Sequence, residues 1–398
     1  MRTNPALGAF CTDCDAAIGA LRQALRALAQ AASSDPLRPQ EVARAFGINK
    51  NLTWKFARVL LAEDSFDAIS MLPGADGVEI YLRAFEAAGF GRAHTDPVRD
   101  AIERFDAVVV RHFGDRGQLE VVLDGLRSDG NLESSRRMAF KGMSGVFGLQ
   151  ARVRLTTQIL LPPEGDELKA SIAQIVGLVG LQRLRPIGAL PVFRSSGTQA
   201  SASGPQPLFT SGAGESGDFL LRDYSSFPSA TVRSRQADGR MVIELTEGPI
   251  GRIGEADLFF GTLQRGLLGV RRLPDDAHND FLTNISIPSE SLVVDSFCHR
   301  SLVGTESMRA TVHSTLGQPL SNDEAQREQS MLPLDPAPVT FERLDAVPSI
   351  HSMPSYERMV HAAFKALGQD FREYRLVRVQ LAYPPTPSGL LLRWTLPE

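Results

Sequence analysis

The chain has 398 residues, of which 43% are hydrophobic and 22% charged, and its formal net charge is −4. That length holds two or three domains, and the composition excludes a disordered or fibrous chain. The small negative charge excludes a protein that coats nucleic acid over its whole surface, but leaves room for a local basic site.

No run approaches the roughly 18 apolar residues of a membrane helix, and the first residues lack the apolar core of a signal peptide. Three cysteines, Cys11, Cys14 and Cys298, are too few for a disulfide framework and fit a reducing compartment. A cytoplasmic protein with no membrane partner is expected. Arginines number 37 against five lysines (Lys50, Lys55, Lys141, Lys169 and Lys365). Arginine richness is thus a bias of the whole chain and says little about partners.

In chain order, residues 14–32 predict a helix. Leu21, Leu25 and Leu28 recur at helical spacing, with Arg22 and Arg26 off the stripe. A second helix is expected from Pro39, well placed at a first helical position, to Phe46. Gly47 breaks it, and a third runs from about Asn51 to Ala62. Val78, Tyr81, Leu82 and Phe85 mark one face of a further helix. Ile102, Phe105 and Val109 mark another, although Val108–Val110 also suits a strand. Residues 133–147 predict one more.

The pattern then changes. Val153, Leu155 and Thr157 alternate with Arg152, Arg154 and Thr156, as in a strand. Further strands are expected at 173–184, 230–233, 240–246, 256–260, 291–298 and 309–315. The clearest strand pair closes the chain: Val377, Val379, Leu381 and Tyr383, then a proline-rich turn, then Leu390, Leu392, Trp394 and Leu396. A helix over 355–367 precedes it. Segments 195–217 and 321–339 read as loops or linkers. The expected fold is α+β. A mostly helical region over 1–148 precedes a larger mixed α/β region with antiparallel strands over 149–398, whose flexible loop lies at about 195–217.

One segment carries a mechanism. In PQEVARAFGINKNLTWKFARVL (39–60), Val42 and Phe46 suit the buried face of a first helix, and Ala43 permits a close crossing. Gly47 allows a left-handed turn, and Ile48 fills the gap between the helices. Leu52 or Thr53, then Phe56 and Leu60, bury the second helix. This set of spacings resembles the helix-turn-helix of bacterial DNA-binding transcriptional regulators.

The resemblance implies that the second helix enters the major groove with its first residues against base edges. On this chain it puts Asn49, Lys50, Asn51 and Thr53 at the bases, with Lys55 and Arg58 on the backbone. Residues 38–58 carry five cations (Arg38, Arg44, Lys50, Lys55 and Arg58) against Glu41. No basic hairpin follows, so the module reads as a compact helical bundle rather than a winged helix. Double-stranded DNA, a second copy of the chain and a small-molecule effector are the partners this reading implies. The other reading is a scaffolding component whose bundle contacts protein through Trp54.

Other constellations read as structural. Cys11 and Cys14 form a half-site without the second pair that a structural zinc needs. GAGESGD (212–218) lacks the Lys-Ser/Thr of a phosphate-binding loop. Asp295, Cys298, His299 and His313 are the best candidates for enzyme chemistry. In a strand, however, Asp295 and His299 stand roughly 13 Å apart, too far for a local dyad, and Cys298 suits a buried strand position. His351 and His361 lack metal-site spacing. Arg183 and Arg185 share a strand face that suits an anion or, more simply, a solvated edge. No catalytic residue, metal ligand or cofactor is assigned, and the chain is expected not to be an enzyme.

Overall fold

The computed structural model describes residues 5–126, 132–163, 169–194, 204–209, 218–226, 232–237, 240–246, 248–273, 277–316 and 323–398. It is α+β and divides into two compact units, Met1–Ser128 and Asp129–Glu398.

The first unit is helical: α1 (Pro5–Ala31), α2 (Pro39–Phe46), α3 (Lys50–Leu61), α4 (Ser65–Met71), α5 (Ala75–Ala87), α6 (Arg92–Phe113) and α7 (Arg116–Leu126). The leucine stripe of α1 is buried, as are Val78, Tyr81, Leu82 and Phe85 of α5 and Ile102, Phe105 and Val109 of α6. Val108–Val110 belong to α6, not to a strand. Burial lifts the Cys14 thiol to about 12, which leaves it protonated and inert at neutral pH. Arg99 of α6 binds Glu79 and Glu86 of α5 and so ties the two helices.

The boundary expected at residue 148 lies instead near 128. Helix α8 (Glu133–Phe147) belongs to the second unit because Arg136 donates to the carbonyl of Ala382, and Phe140 packs on Tyr383. The second unit continues with β1 (Leu149–Leu160), β2 (Lys169–Arg183), β3 (Leu190–Arg194), β4 (Gln206–Pro207), β5 (Val232–Ala237), β6 (Arg240–Leu245) and β7 (Ala256–Gly269). It ends with β8 (His278–Ile285), β9 (Ser289–His299), β10 (Arg309–Ser314), α9 (Glu324–Ser330), β11 (Val339–Phe341), α10 (Tyr356–Ala366), β12 (Tyr374–Ala382) and β13 (Ser388–Thr395).

Seven strands form the main sheet in the order β11-β12-β9-β1-β2-β7-β4, and two three-stranded sheets run β10-β13-β8 and β3-β6-β5. Among these pairs only β1 with β9 is parallel. Helix α10 covers one face of the main sheet, burying Tyr356, Met359 and Val360 against Leu155, Phe297 and Leu376. Here Gly177 has no side chain because the Phe259 ring occupies that space: a Cβ would stand 2.7 Å from it.

The closing strands correct the expected pair. β12 pairs with β9 and β11, whereas β13 pairs with β10 and β8 in the other sheet. Their alternating apolar residues pack across a core, Val377, Val379 and Leu381 in one layer and Leu390, Leu392 and Trp394 in the other. Period-two alternation reports a buried face, and a face can be buried against another sheet as well as extended by its neighbour.

Of the loop expected at 195–217, residues 195–203 and 210–217 lie outside the described residues, as does most of GAGESGD. The described part is packed: Gln206–Pro207 pair with Leu263 and Thr262, and Leu208 is buried.

His313 on β10 is buried, its Nε2 2.8 Å from the Thr311 hydroxyl and its Nδ1 3.1 Å from the Arg327 carbonyl. Burial first, then the nearby Arg327 and Arg393 charges, hold its pKa below the usual histidine value of 6.5. The unfolded chain then binds the proton more readily, so the neutral ring contributes stability above about pH 6.5 that is lost on acidification through that value. Urea unfolding of the second unit, followed by Trp394 emission in a Trp54→Phe background, is expected to lose more stability from pH 7.5 to 5.5 than the same protein carrying His313→Gln. Equal losses would remove His313 from the pH response.

Candidate nucleic-acid interface

The segment 39–60 forms two helices joined by a three-residue turn. Pro39 starts α2, and Gly47 ends it at φ +65°, a left-handed conformation that costs glycine little. The amide of Ile48 closes the turn on the Ala43 carbonyl at 3.0 Å, and the Ile48 side chain is buried between the helices. Asn49 caps α3, its Oδ1 accepting the Asn51 amide at 2.8 Å. Val42, Phe56, Val59 and Leu60 enter the core, and Phe46 stacks on Phe85 with centroids 4.1 Å apart.

Arg22, read from sequence only as an off-stripe cation, fixes the far end of α3. Its Nε donates to the Val59 carbonyl at 2.9 Å, and Nη2 donates to those of Ala62 at 2.7 Å and Asp64 at 3.2 Å. A guanidinium across the last carbonyls of a helix satisfies them and opposes the dipole. Arg22→Met is expected to lower the stability of the first unit by about 1.5–3 kcal/mol, measured as a shift in its urea midpoint. An unchanged midpoint would show that water replaces the guanidinium.

The exposed residues of α3 are Lys50, Asn51, Trp54, Lys55, Arg58 and Leu61. At 100° per residue they span about 140° of the helix, and the buried residues take the opposite side. The helix contains no acidic residue. Lys50, Lys55 and Arg58 make no ion pair among the described residues, whereas Arg38 is engaged by Asp35 and Glu41. Trp54, 47% exposed, lies within this cationic stripe.

Two residues expected at the site serve the fold instead. Thr53 is buried and its hydroxyl donates to the Lys50 carbonyl at 2.9 Å, so it faces the core rather than a ligand. Its side is set by its place one residue before Trp54, on the opposite flank of the stripe. The Asn49 side chain is exposed, but its oxygen serves the cap. Lys50, Asn51, Lys55 and Arg58 stand on one open face.

The candidates for enzyme chemistry in the second unit do not assemble. Asp295 is wholly buried and receives Arg378 Nε at 2.8 Å and Nη2 at 2.7 Å. Tyr356 also donates its hydroxyl to Asp295, and burial followed by the Asp295 charge holds that phenol well above its ordinary range. Arg378 donates onward to the carbonyls of Pro348 and Ser349, both at 2.9 Å. This is a closed structural network. Cys298 lies on the opposite face of β9 from Asp295, and burial lifts its thiol to about 12. His299 Nδ1 is 2.7 Å from the Ser301 hydroxyl. Arg185 donates to the Val146 carbonyl at 2.6 Å. Among the described residues no group of three or more His, Cys, Asp or Glu is placed to hold a metal ion. Among the described residues no helix is long and apolar enough to cross a membrane.

No protein-family model matches the chain, and no curated protein matches it. Solved structures of an M1 zinc metallopeptidase from Deinococcus radiodurans match in part. A variant bound to a Tyr-Ser-Ala substrate is 11% identical, with a TM-score of 0.26. Another structure of the enzyme is 10% identical, with a TM-score of 0.24. Each match covers 62% of this chain, and the chain spans 42% of the length of the proteins it matches. The proteins matched are enzymes, so the expectation that the chain is no enzyme is withdrawn, and no activity of theirs is carried to this chain. At such scores the likeness does not establish a common fold.

Proposed function

We propose that the chain is a sequence-specific DNA-binding regulator that reads the major groove with the exposed face of α3 and acts in the cytoplasm, where DNA is accessible. The observation that carries this reading is the composition of that face: Lys50, Asn51, Lys55 and Arg58, without an acid, on a helix whose other side is locked into the core. Asn51 has the paired donor and acceptor that suit adenine. Lys50, Lys55 and Arg58 suit phosphates or guanine. One such helix gives limited affinity, so the reading includes two copies on paired half-sites.

The alternative is a scaffolding protein. Its support is the apolar pair on the same face, Trp54 at 47% and Leu61 at 62% exposure, since an exposed tryptophan is a frequent interface anchor. A gel-shift series on duplexes from the region upstream of its own gene separates the two readings. DNA binding predicts a discrete shifted band that Asn51→Ala weakens on its preferred site. A scaffold predicts no band, and loss of assembly mass in Trp54→Ala by light scattering.

A further inference from the structure

The second unit contains a pocket of about 440 Å³ at the end where β7 and β13 finish and β8 begins. Leu268, Trp394, Leu396 and Val303 line it, with Asn279 and Arg271 among its polar groups. The cleft opens to solvent, its lining is about as polar as it is apolar, and Arg271 is exposed beside it.

The chemistry of its occupant follows from which of those polar groups is free. Asn279 Nδ2 donates to the Gly269 carbonyl at 2.7 Å, and the Ser301 hydroxyl is 2.7 Å from His299 Nδ1. Both serve the fold. Arg271 makes no hydrogen bond or ion pair among the described residues, and Glu398, the one acid of the lining, does not pair with it. The walls are tied together: the Arg272 amide donates to Pro397 at 2.8 Å, and the Leu396 amide to Ala277 at 3.0 Å. Such a site is formed before a ligand arrives, which lowers the ordering cost of binding.

We infer that this pocket binds a small amphipathic carboxylate. Its apolar body lies against Trp394 and Leu268, and its carboxylate pairs with Arg271. A guanidinium matches a carboxylate with two parallel hydrogen bonds. The inference rests on the second unit alone and does not depend on DNA binding.

The chain has two tryptophans, so Trp54→Phe leaves Trp394 as the sole indole reporter in the pocket wall. Titration of that protein with octanoate, by Trp394 emission and by calorimetry in parallel, is expected to show saturable binding. Arg271→Gln is expected to weaken it at least tenfold, and octan-1-ol to bind at least tenfold more weakly than octanoate. A Cβ at Gly269 would meet Leu396 at 3.7 Å and Arg271 at 3.9 Å, ordinary contact distances. Gly269→Leu therefore fills the pocket from its wall, and is expected to abolish binding with an unchanged unfolding midpoint. No saturable signal by either method would overturn the inference. So would equal affinity in Arg271→Gln, or equal affinity for the alcohol.

Discussion

Asp295→Ala is expected to lower the stability of the second unit by about 3–5 kcal/mol, because it leaves the buried Arg378 guanidinium without its counter-charge. Arg378 bridges β12 to β9 through Asp295 and holds the Pro348–Ser349 backbone onto the same sheet. Tyr356 brings the start of α10 to the same carboxylate. Loss of that one group therefore loosens a helix, a loop and two strands together. Asp295→Leu combined with Arg378→Met should cost less than the sum of the single changes, since an apolar pair needs no charge compensation. It should not restore full stability, because the Pro348 and Ser349 carbonyls lose their donor. Urea unfolding followed by Trp394 emission reads the effect. A loss below about 1 kcal/mol for Asp295→Ala would place the pair with surface ion pairs in energetic weight.

Lys50→Glu combined with Lys55→Glu is expected to abolish specific DNA binding while the urea midpoint of the first unit stays within about 0.5 kcal/mol of wild type. Both lysines are exposed and make no ion pair among the described residues, so the fold does not depend on them. The neutral pair Lys50→Gln with Lys55→Gln gives a graded test. If both lysines meet phosphates, the slope of log affinity against log salt should fall by about 1.8, at about 0.9 per phosphate. An unchanged slope would remove both residues from the phosphate contacts.

Much of the fold was legible in the sequence wherever a signal was local. Pro39 and Gly47 bounded α2, the leucine stripe marked α1, and strand alternation marked β1, β12 and β13. Partners distant in sequence were not legible. Alternation in β12 and β13 gave their buried faces but not their neighbours, which lie in two different sheets. The strand spacing sets Asp295 apart from His299 but does not give its partner, Arg378, which lies 83 residues away. On an alternating strand such an arginine reads as solvent-facing, and only the covering by α10 makes that face interior. Helix α7 gave little signal because Leu119 and Leu123 are its main identified core contacts. In the candidate interface, spacing fixed the turn but left Leu52 and Thr53 open. Geometry buries Thr53, assigns Asn49 to the cap, and keeps Lys50, Asn51, Lys55 and Arg58 on one face. Arg22 could not have been read as their support, since its carbonyl partners lie 37 to 42 residues away.

The most direct test of the α3 face is fluorescence anisotropy of the protein on labelled duplex from its own upstream region, titrated with salt and unrelated competitor. The proposal predicts tight binding that resists competitor, weakens log-linearly with salt and disappears in Lys50→Glu with Lys55→Glu. Binding that competitor removes completely, or binding that survives the double charge reversal in a folded protein, would contradict it.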